Sequence, residues 1–292
     1  MGNNMLGMLV LAAGLLSNQI EAMIVKRYGA KHGNGGMFFN MILCLSATIY
    51  FLVTDQGGFV LPTGVLVYGL INSVMYAVGF YFGYVAFRTG SFGLTRLFTS
   101  FSGILTIFYG VIGLQEPVNP LMILAVVLVF VSVFLMRYEK NTAKEKTGCS
   151  AKWVISIVLV VVSNAMISVI GKMQHNAFSD TYKNEYLIVS FVGSALWLAI
   201  MGVLFERNAL KSTIKHGLLY GFAAGIFNGV NNLFSIIAYN FFPISVLSPV
   251  KTGLGMVIGF VISVLVYKEK FSRRQIAAVI LGILAVILIN VG

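Results

Sequence analysis

Ten stretches of about 20 apolar residues, parted by short charged or turn-forming segments, decide the solvent in which this chain can fold. They lie at residues 4–25, 37–54, 63–87, 92–114, 119–137, 153–173, 185–205, 216–240, 245–267 and 272–291. Each is long enough to cross a hydrocarbon core of about 30 Å, where only a helix satisfies its own backbone polar groups. The expected fold is therefore an all-α polytopic membrane protein with ten transmembrane helices. Composition agrees: 58% of residues are hydrophobic and 10% charged, and the mean hydropathy is +0.91. Met1 to Asn4 carry no Lys or Arg, so the first stretch reads as a span and not as a cleaved signal.

The chain also repeats itself. Leu66, Tyr68, Gly69, Val78, Phe82, Ala86, Gly103 and Phe108 recur 152 positions later as Leu218, Tyr220, Gly221, Val230, Phe234, Ala238, Gly255 and Phe260. Ser17, Asn18 and Lys26 recur at an offset of 146 as Ser163, Asn164 and Lys172. Two five-helix repeats follow, residues 1–137 and 153–292, joined by a linker at 138–152. Because five is odd, the second copy enters the membrane from the opposite side, and the repeats are inverted.

Sixteen of the 20 Lys and Arg residues fall in the connections after spans 1, 3, 5, 7 and 9, whereas the other side holds only Lys172 and Lys183. By the positive-inside rule those connections are cytoplasmic and both termini lie outside. The same loops account for the net charge of +11. They read as contacts to anionic lipid, with no nucleic-acid face. Cys44 falls inside the second span and Cys149 in the linker, so no disulfide is expected. Asn119 before Pro120 reads as a helix cap, and Ser272 with Gln275 as a capping box.

Polar residues inside an apolar helix are costly and face the interior or a water-filled cavity. On the fourth span, Arg96, Thr99, Ser100 and Gly103 share one stripe at helical spacing; on the ninth, Ser248, Lys251, Thr252 and Gly255 occupy the equivalent positions. Asn228, Asn231, Asn232 and Ser235 line one face of the eighth span, and Asn72, Tyr76, Gly79 and Gly83 mark the third. Ser17, Asn18, Glu21, Ser163, Asn164 and Ser168 add polar faces on the first and sixth. These faces are expected to meet in a central cavity. The competing reading for Asn18 and Asn164 is interhelical hydrogen bonding alone, and the ladder Gly221, Gly225, Gly229, with the pairs Gly79/Gly83 and Gly255/Gly259, reads as close helix packing. Arg96 could snorkel to the interface. Pro249 frees the carbonyl of Ser245, which predicts an interrupted helix beside Lys251. Glu21 is the one deep acid, readable as an ion-pair partner of either base or as a proton or cation relay. Two bases against one acid leave the interior net positive, which favours a substrate bearing a carboxylate or phosphate.

Ten spans in two repeats, the turns after Ala86 and Ala238, and the glutamates of Leu114-Gln115-Glu116 and Tyr267-Lys268-Glu269 resemble the drug/metabolite transporter superfamily, EamA type. The resemblance implies a secondary transporter with its substrate site between the repeats, spans 3, 4, 8 and 9 contributing strongly. It implies structural roles for Glu116 and Glu269. The small multidrug resistance relatives carry a glutamate eight residues before the lysine that ends their first helix; here Asn18 and Asn164 stand at that spacing before Lys26 and Lys172. Well-known ten-helix members of the superfamily keep both termini cytoplasmic, opposite to the loop charges here.

No Gly-Lys-Ser/Thr phosphate loop is present, and His32, His175 and His216 read as loop residues with no metal-ligand spacing. The chain is not expected to be an enzyme or to carry a cofactor or metal. The expectation is a secondary carrier of a small anionic or zwitterionic metabolite, working by alternating access in a cell membrane, bacterial and cytoplasmic, as a monomer or homodimer. Arg96 and Lys251 are the counter-charges. Asn228, Asn231, Asn232, Tyr76, Thr99, Ser248 and Thr252 complete the substrate site, and Glu21, Asn18 and Asn164 couple transport to a proton or sodium ion or gate it. The alternatives are an exporter of amino acids or cationic amphiphilic drugs, with Glu21 as the cation partner, and a membrane protein with a structural or receptor role.

Overall fold

The described residues of the computed structural model are 2–33, 35–55, 57–90, 92–99, 101–115, 120–137, 150–179, 181–268 and, of the last apolar stretch, 273–274, 276–277, 280–281, 284 and 288. They form helices α1 (Gly2–His32), α2 (Gly36–Thr54), α3 (Thr63–Thr89), α4 (Phe92–Thr99), α5 (Ser102–Phe108), α6 (Pro120–Arg137), α7 (Ala151–Phe178), α8 (Lys183–Phe205), α9 (Leu210–Ala238) and α10 (Ile244–Leu265). No strand occurs among the described residues. Six of these, α1, α2, α3, α7, α8 and α9, are long and apolar enough to cross a membrane. The calls at Glu116, Asn119, Cys149, Glu269, Ser272 and Gln275 lie outside the described residues.

The helices outrun the apolar stretches that announce them. Both α1 and α7 continue beyond the apolar run into Lys- and His-bearing turns. As a result His32 closes α1, His175 lies in the last turn of α7 and His216 is inside α9, so none of the three is a loop residue. The linker is shorter than expected, because Ala151 and Lys152 are already helical. The Ser150 side chain caps α7 by accepting from the Trp153 amide at 3.2 Å.

The two halves interleave. α1 packs on α9, α2 on α9 and α8, and α3 on α7 and α8, while α10 packs on α4 and α5. The facing residues give the directions. Gly7 meets Phe241 while His32 stacks on His216, so α1 and α9 run antiparallel. Gly64 meets Phe178 and Gly90 meets Trp153, so α3 and α7 do too. Gly221, Gly225 and Gly229 descend α9 against Phe39, Leu43 and Tyr50 of α2, which makes that pair parallel. Gly69 against Val189 and Gly193 against Ser73 make α3 and α8 parallel, and Phe38 against Gly202 makes α2 and α8 antiparallel. The Gly221–Gly229 ladder is therefore a packing seam: a Cβ on Gly225 would stand 2.3 Å from the Leu43 carbonyl oxygen.

The centre of the bundle is built by α2 and α8, whose Phe39, Leu43, Phe51, Leu187 and Phe191 are fully buried. Large apolar side chains such as Leu9, Leu196 and Leu219 point outward while Asn72, Ser156, Ser190 and Ser194 point inward. That distribution is the one a lipid solvent requires.

The interruption lies elsewhere than expected. α10 is continuous through Pro249, whose missing amide falls in the second turn and removes a single ladder bond. The fourth apolar stretch is the broken one: α4 ends at Thr99, α5 starts at Ser102, and a π-helical turn spans Tyr109–Gly113. At the α4–α5 step the Phe101 amide donates to the Phe98 carbonyl at 3.2 Å, a tighter turn than the α-helical ladder. Thr99 Oγ1 donates to the Arg96 carbonyl (3.1 Å), Ser102 Oγ to that of Thr99 (3.1 Å) and Thr106 Oγ1 to that of Gly103 (2.8 Å).

Candidate functional site

A cavity of about 270 Å³ opens between the two halves. Its wall takes side chains from α1, α2, α3, α4, α5, α7, α8, α9 and α10. Asn18, Glu21, Tyr76, Arg96, Thr99, Asn164, Asn228, Asn231, Asn232 and Lys251 all line it. The side chains of Ser248 and Thr252, and the whole of Ser100, lie outside the described residues. Asn72 is buried away from the cavity, where its amide donates to the Tyr186 hydroxyl at 2.6 Å.

The Arg96 guanidinium does not snorkel. It reaches across to α1, where Nη1 donates to Asn18 Oδ1 at 2.9 Å and Nη2 to the Asn18 carbonyl at 2.5 Å. The rings of Phe87 and Phe92 cover it at 5.5 and 5.8 Å. Asn18 thus acts on a charge as well as on a helix contact, because a buried cation without acceptors is far more costly than a neutral amide. Lys251 Nζ donates to Ser235 Oγ at 2.6 Å, and Ser235 Oγ in turn donates to the Asn231 carbonyl at 2.5 Å. Tyr76 donates to Asn232 Oδ1 at 2.5 Å, and the Asn232 amide donates to Asn228 Oδ1 at 2.8 Å. The asparagine face of α9 is therefore ordered into a chain of directed bonds that begins on α3.

Glu21 is 9% exposed, and its Oε2 has no hydrogen-bond partner. Among the described residues no ion pair ties it to Arg96 or Lys251. The cavity thus holds two cations that already have neutral partners and one carboxyl oxygen that has none. Such an arrangement leaves both signs of charge available to a solute.

Gly83 and Gly255 are not close packing contacts, whereas Gly79 borders the cavity and also stands in ordinary van der Waals contact with α7, its Cβ position 3.4 Å from Ser163 Cβ. All three line the cavity, and a Cβ on Gly83 or Gly255 would meet nothing nearer than 4.0 and 3.6 Å. Their absent side chains are the room in which a solute can lie. Gly259 alone of these four is tight, with the Arg96 stem 3.3 Å from its Cβ position.

The sequence reading missed Gln19, Asn40, Tyr84, Tyr186 and Tyr239 on the cavity wall. Gln19 donates to the Gly255 carbonyl at 3.0 Å, joining α1 to α10, and Tyr239 donates to the Ser168 carbonyl at 3.1 Å. A signal was available for two of them: Tyr186 shares one face with Ser190 and Ser194, and Asn40 shares one with Cys44 and Thr48, both at four-residue helical spacing. No cluster of three or more His, Cys, Asp or Glu able to hold a metal occurs among the described residues.

Comparison with known proteins adds a family and a fold. Residues 151–291 match the EamA-like transporter family. No curated protein sequence matches the chain significantly. A crystal structure of a protein 12% identical to the chain superimposes with a TM-score of 0.72, covering 96% of this chain and 98% of that one. That likeness is one of fold.

Proposed function

We propose that this chain, whose residues 151–291 match the EamA-like transporter family, is a multi-pass membrane transporter of small molecules, and specifically a secondary carrier of a small anionic or zwitterionic metabolite. The observation that carries this reading is the single cavity in which Arg96, Lys251 and the unpartnered Glu21 oxygen meet. Lys251 has one neutral acceptor, which leaves ammonium donors for a carboxylate or phosphate. Arg96 adds positive field. Asn228, Asn231, Asn232 and Tyr76 orient the solute, with Thr99, Ser248 and Thr252 on the flanking stripes, and Asn18 and Asn164 complete the wall. Glu21 is the coupling carboxylate for a proton or sodium ion.

The carrier works by alternating access, ten helices rocking as two inverted five-helix repeats, residues 1–137 and 153–292. Packing supports the inversion. Under the repeat α1, α2 and α3 correspond to α7, α8 and α9. The contact α1–α9 then maps onto α7–α3, and α2–α9 onto α8–α3, with directions preserved. α1 and α7 consequently run in opposite senses. Individual side chains exchange in the same way: Trp153, the counterpart of Gly7, packs on Gly90, while Phe242, the counterpart of Gly90, packs on Gly7.

Uptake into proteoliposomes, across carboxylates, phosphates, amino acids and quaternary ammonium ions, tests the substrate class. Wild type is expected to move an anion or zwitterion, and Lys251→Ala to lose about tenfold or more of that flux, the magnitude of one lost charge-assisted hydrogen bond. Glu21→Gln is expected to keep exchange and to lose the response to a proton or sodium gradient. The unpartnered Glu21 oxygen favours one second reading, export of amino acids or cationic amphiphiles with Glu21 as the cation's partner. In that case cation flux falls in Glu21→Gln and survives in Lys251→Ala.

A further inference from the structure

Lys26 and Lys172, which match at the 146-residue offset, stand over aromatic rings at opposite ends of the cavity. Lys26 lies six residues before the end of α1 at His32, and Lys172 six residues before the end of α7 at Phe178. The Lys26 ammonium stands 4.8 Å from the centre of the Tyr267 ring and 5.7 Å from that of Phe92. These rings stack at 5.1 Å, and Phe87 stacks on Phe92 at 5.5 Å. One aromatic slab thus joins α3, α4 and the turn after α10, with Lys26 at its outer ring and Arg96 over Phe87 and Phe92. At the other end, the Lys172 ammonium stands 5.3 Å from the Tyr239 ring. Tyr239 is the counterpart of Phe87, 152 positions on, as Lys172 is of Lys26, 146 positions on.

Each assembly lies one step beyond the cavity wall. Val25 and Phe87 line the cavity next to Lys26, and Gly171 and Tyr239 line it next to Lys172. The two ends are far apart along the bundle: His32, Arg88, Trp153 and His216 gather around the first, and Gly7, Gly64, Phe178 and Phe241 around the second. The assemblies are also unequal, because the counterpart of Phe92 is Ile244, which has no ring.

We propose that Lys26 and Lys172 are gating residues, each closing one mouth of the cavity by clamping its ammonium on rings carried by other helices. Cation–π contacts of half-buried lysines such as these are strong enough to bias such a closure and weak enough to exchange during transport.

The proposal rests on the transporter reading, but its test needs no substrate. With Cys44 and Cys149 replaced by Ala, a reporter cysteine at Gly83 is exposed to a membrane-impermeant maleimide applied to either face of oriented vesicles. Lys26→Met should raise the labelling rate about 5- to 30-fold from the face bearing the α1–α2 connection and leave the other face unchanged. Lys172→Met should act on the opposite face. Lys→Arg at either site should restore slow labelling, since a guanidinium retains the ring contact. Tyr267→Leu carries the Lys26 expectation where Lys26→Met does not insert. Unchanged labelling from both faces, a rise on the wrong face, or failure of Arg to rescue would overturn the gates. Solute flux is measured separately on the same vesicles. Side-specific labelling without flux of any solute supports the gates and removes the proposed substrate class, whereas flux with unchanged labelling does the reverse.

Discussion

At the scale of single residues, the cavity is organised by how its charges are partnered. Arg96 spends both terminal nitrogens on Asn18, so Asn18 stabilises a buried cation. Asn18→Ala is expected to cost about 1 to 3 kcal/mol by leaving that cation short of an acceptor, read as a lower unfolding midpoint in detergent. Asn18→Asp, which supplies an anion at the same place, is expected to recover the loss. Sequence alone singled out Arg96, Lys251 and Glu21, because ionisable groups in apolar helices are conspicuous. It could not tell which neighbour each would take. The choice of Asn18 over Glu21 as the partner of Arg96 depends on how α4 lies across α1, which no local pattern encodes. Gln19 escaped notice for a related reason: the Gly255 carbonyl it binds lies 236 residues away.

At the scale of helices, glycine performs two opposite tasks, and only packing separates them. On the α2–α9 seam a Cβ at Gly225 would lie 2.3 Å from a backbone oxygen and 2.6 Å from Ser46 Cβ. Gly225→Leu is therefore expected to force α9 from α2 and abolish a monodisperse peak on size exclusion, with Gly225→Ala costing about 1 to 3 kcal/mol of stability by overpacking. Gly83→Ala, with nothing within reach but a Val160 methyl at 4.0 Å, is expected to keep the fold or raise its midpoint slightly through better helix propensity. Their spacing in sequence is the same, which is why a spacing rule assigned Gly79, Gly83 and Gly255 to packing when they border the cavity. Proline misled in the same manner. Pro249 sits in a continuous α10, while the fourth span, which has no proline, forms two helices, α4 to Thr99 and α5 from Ser102.

At the scale of the whole molecule, the loop charges predict a definite orientation. The described basic residues Lys31, Arg88, Lys152, Lys211 and Lys215 stand at the end where His32 meets His216 and Gly90 meets Trp153. If that end faces the cytoplasm, Cys149 in the linker is protected from an impermeant maleimide in intact cells and labelled in inverted vesicles. Cys44, fully buried, stays unlabelled in both. Labelling of the wild-type chain from outside would reverse the orientation.

The all-helical class and the six long apolar helices were legible from residue order, because lipid demands runs of about 20 apolar residues. The convergence of polar stripes was legible for the same reason, since a polar face in lipid has nowhere else to turn. Tertiary structure alone decided which stripe meets which, where the chain breaks, which glycines leave space, and which rings cover Lys26 and Lys172. Most of those outcomes depend on contacts between residues more than sixty positions apart, and the periodicity of a single helix carries no information about its neighbour's register.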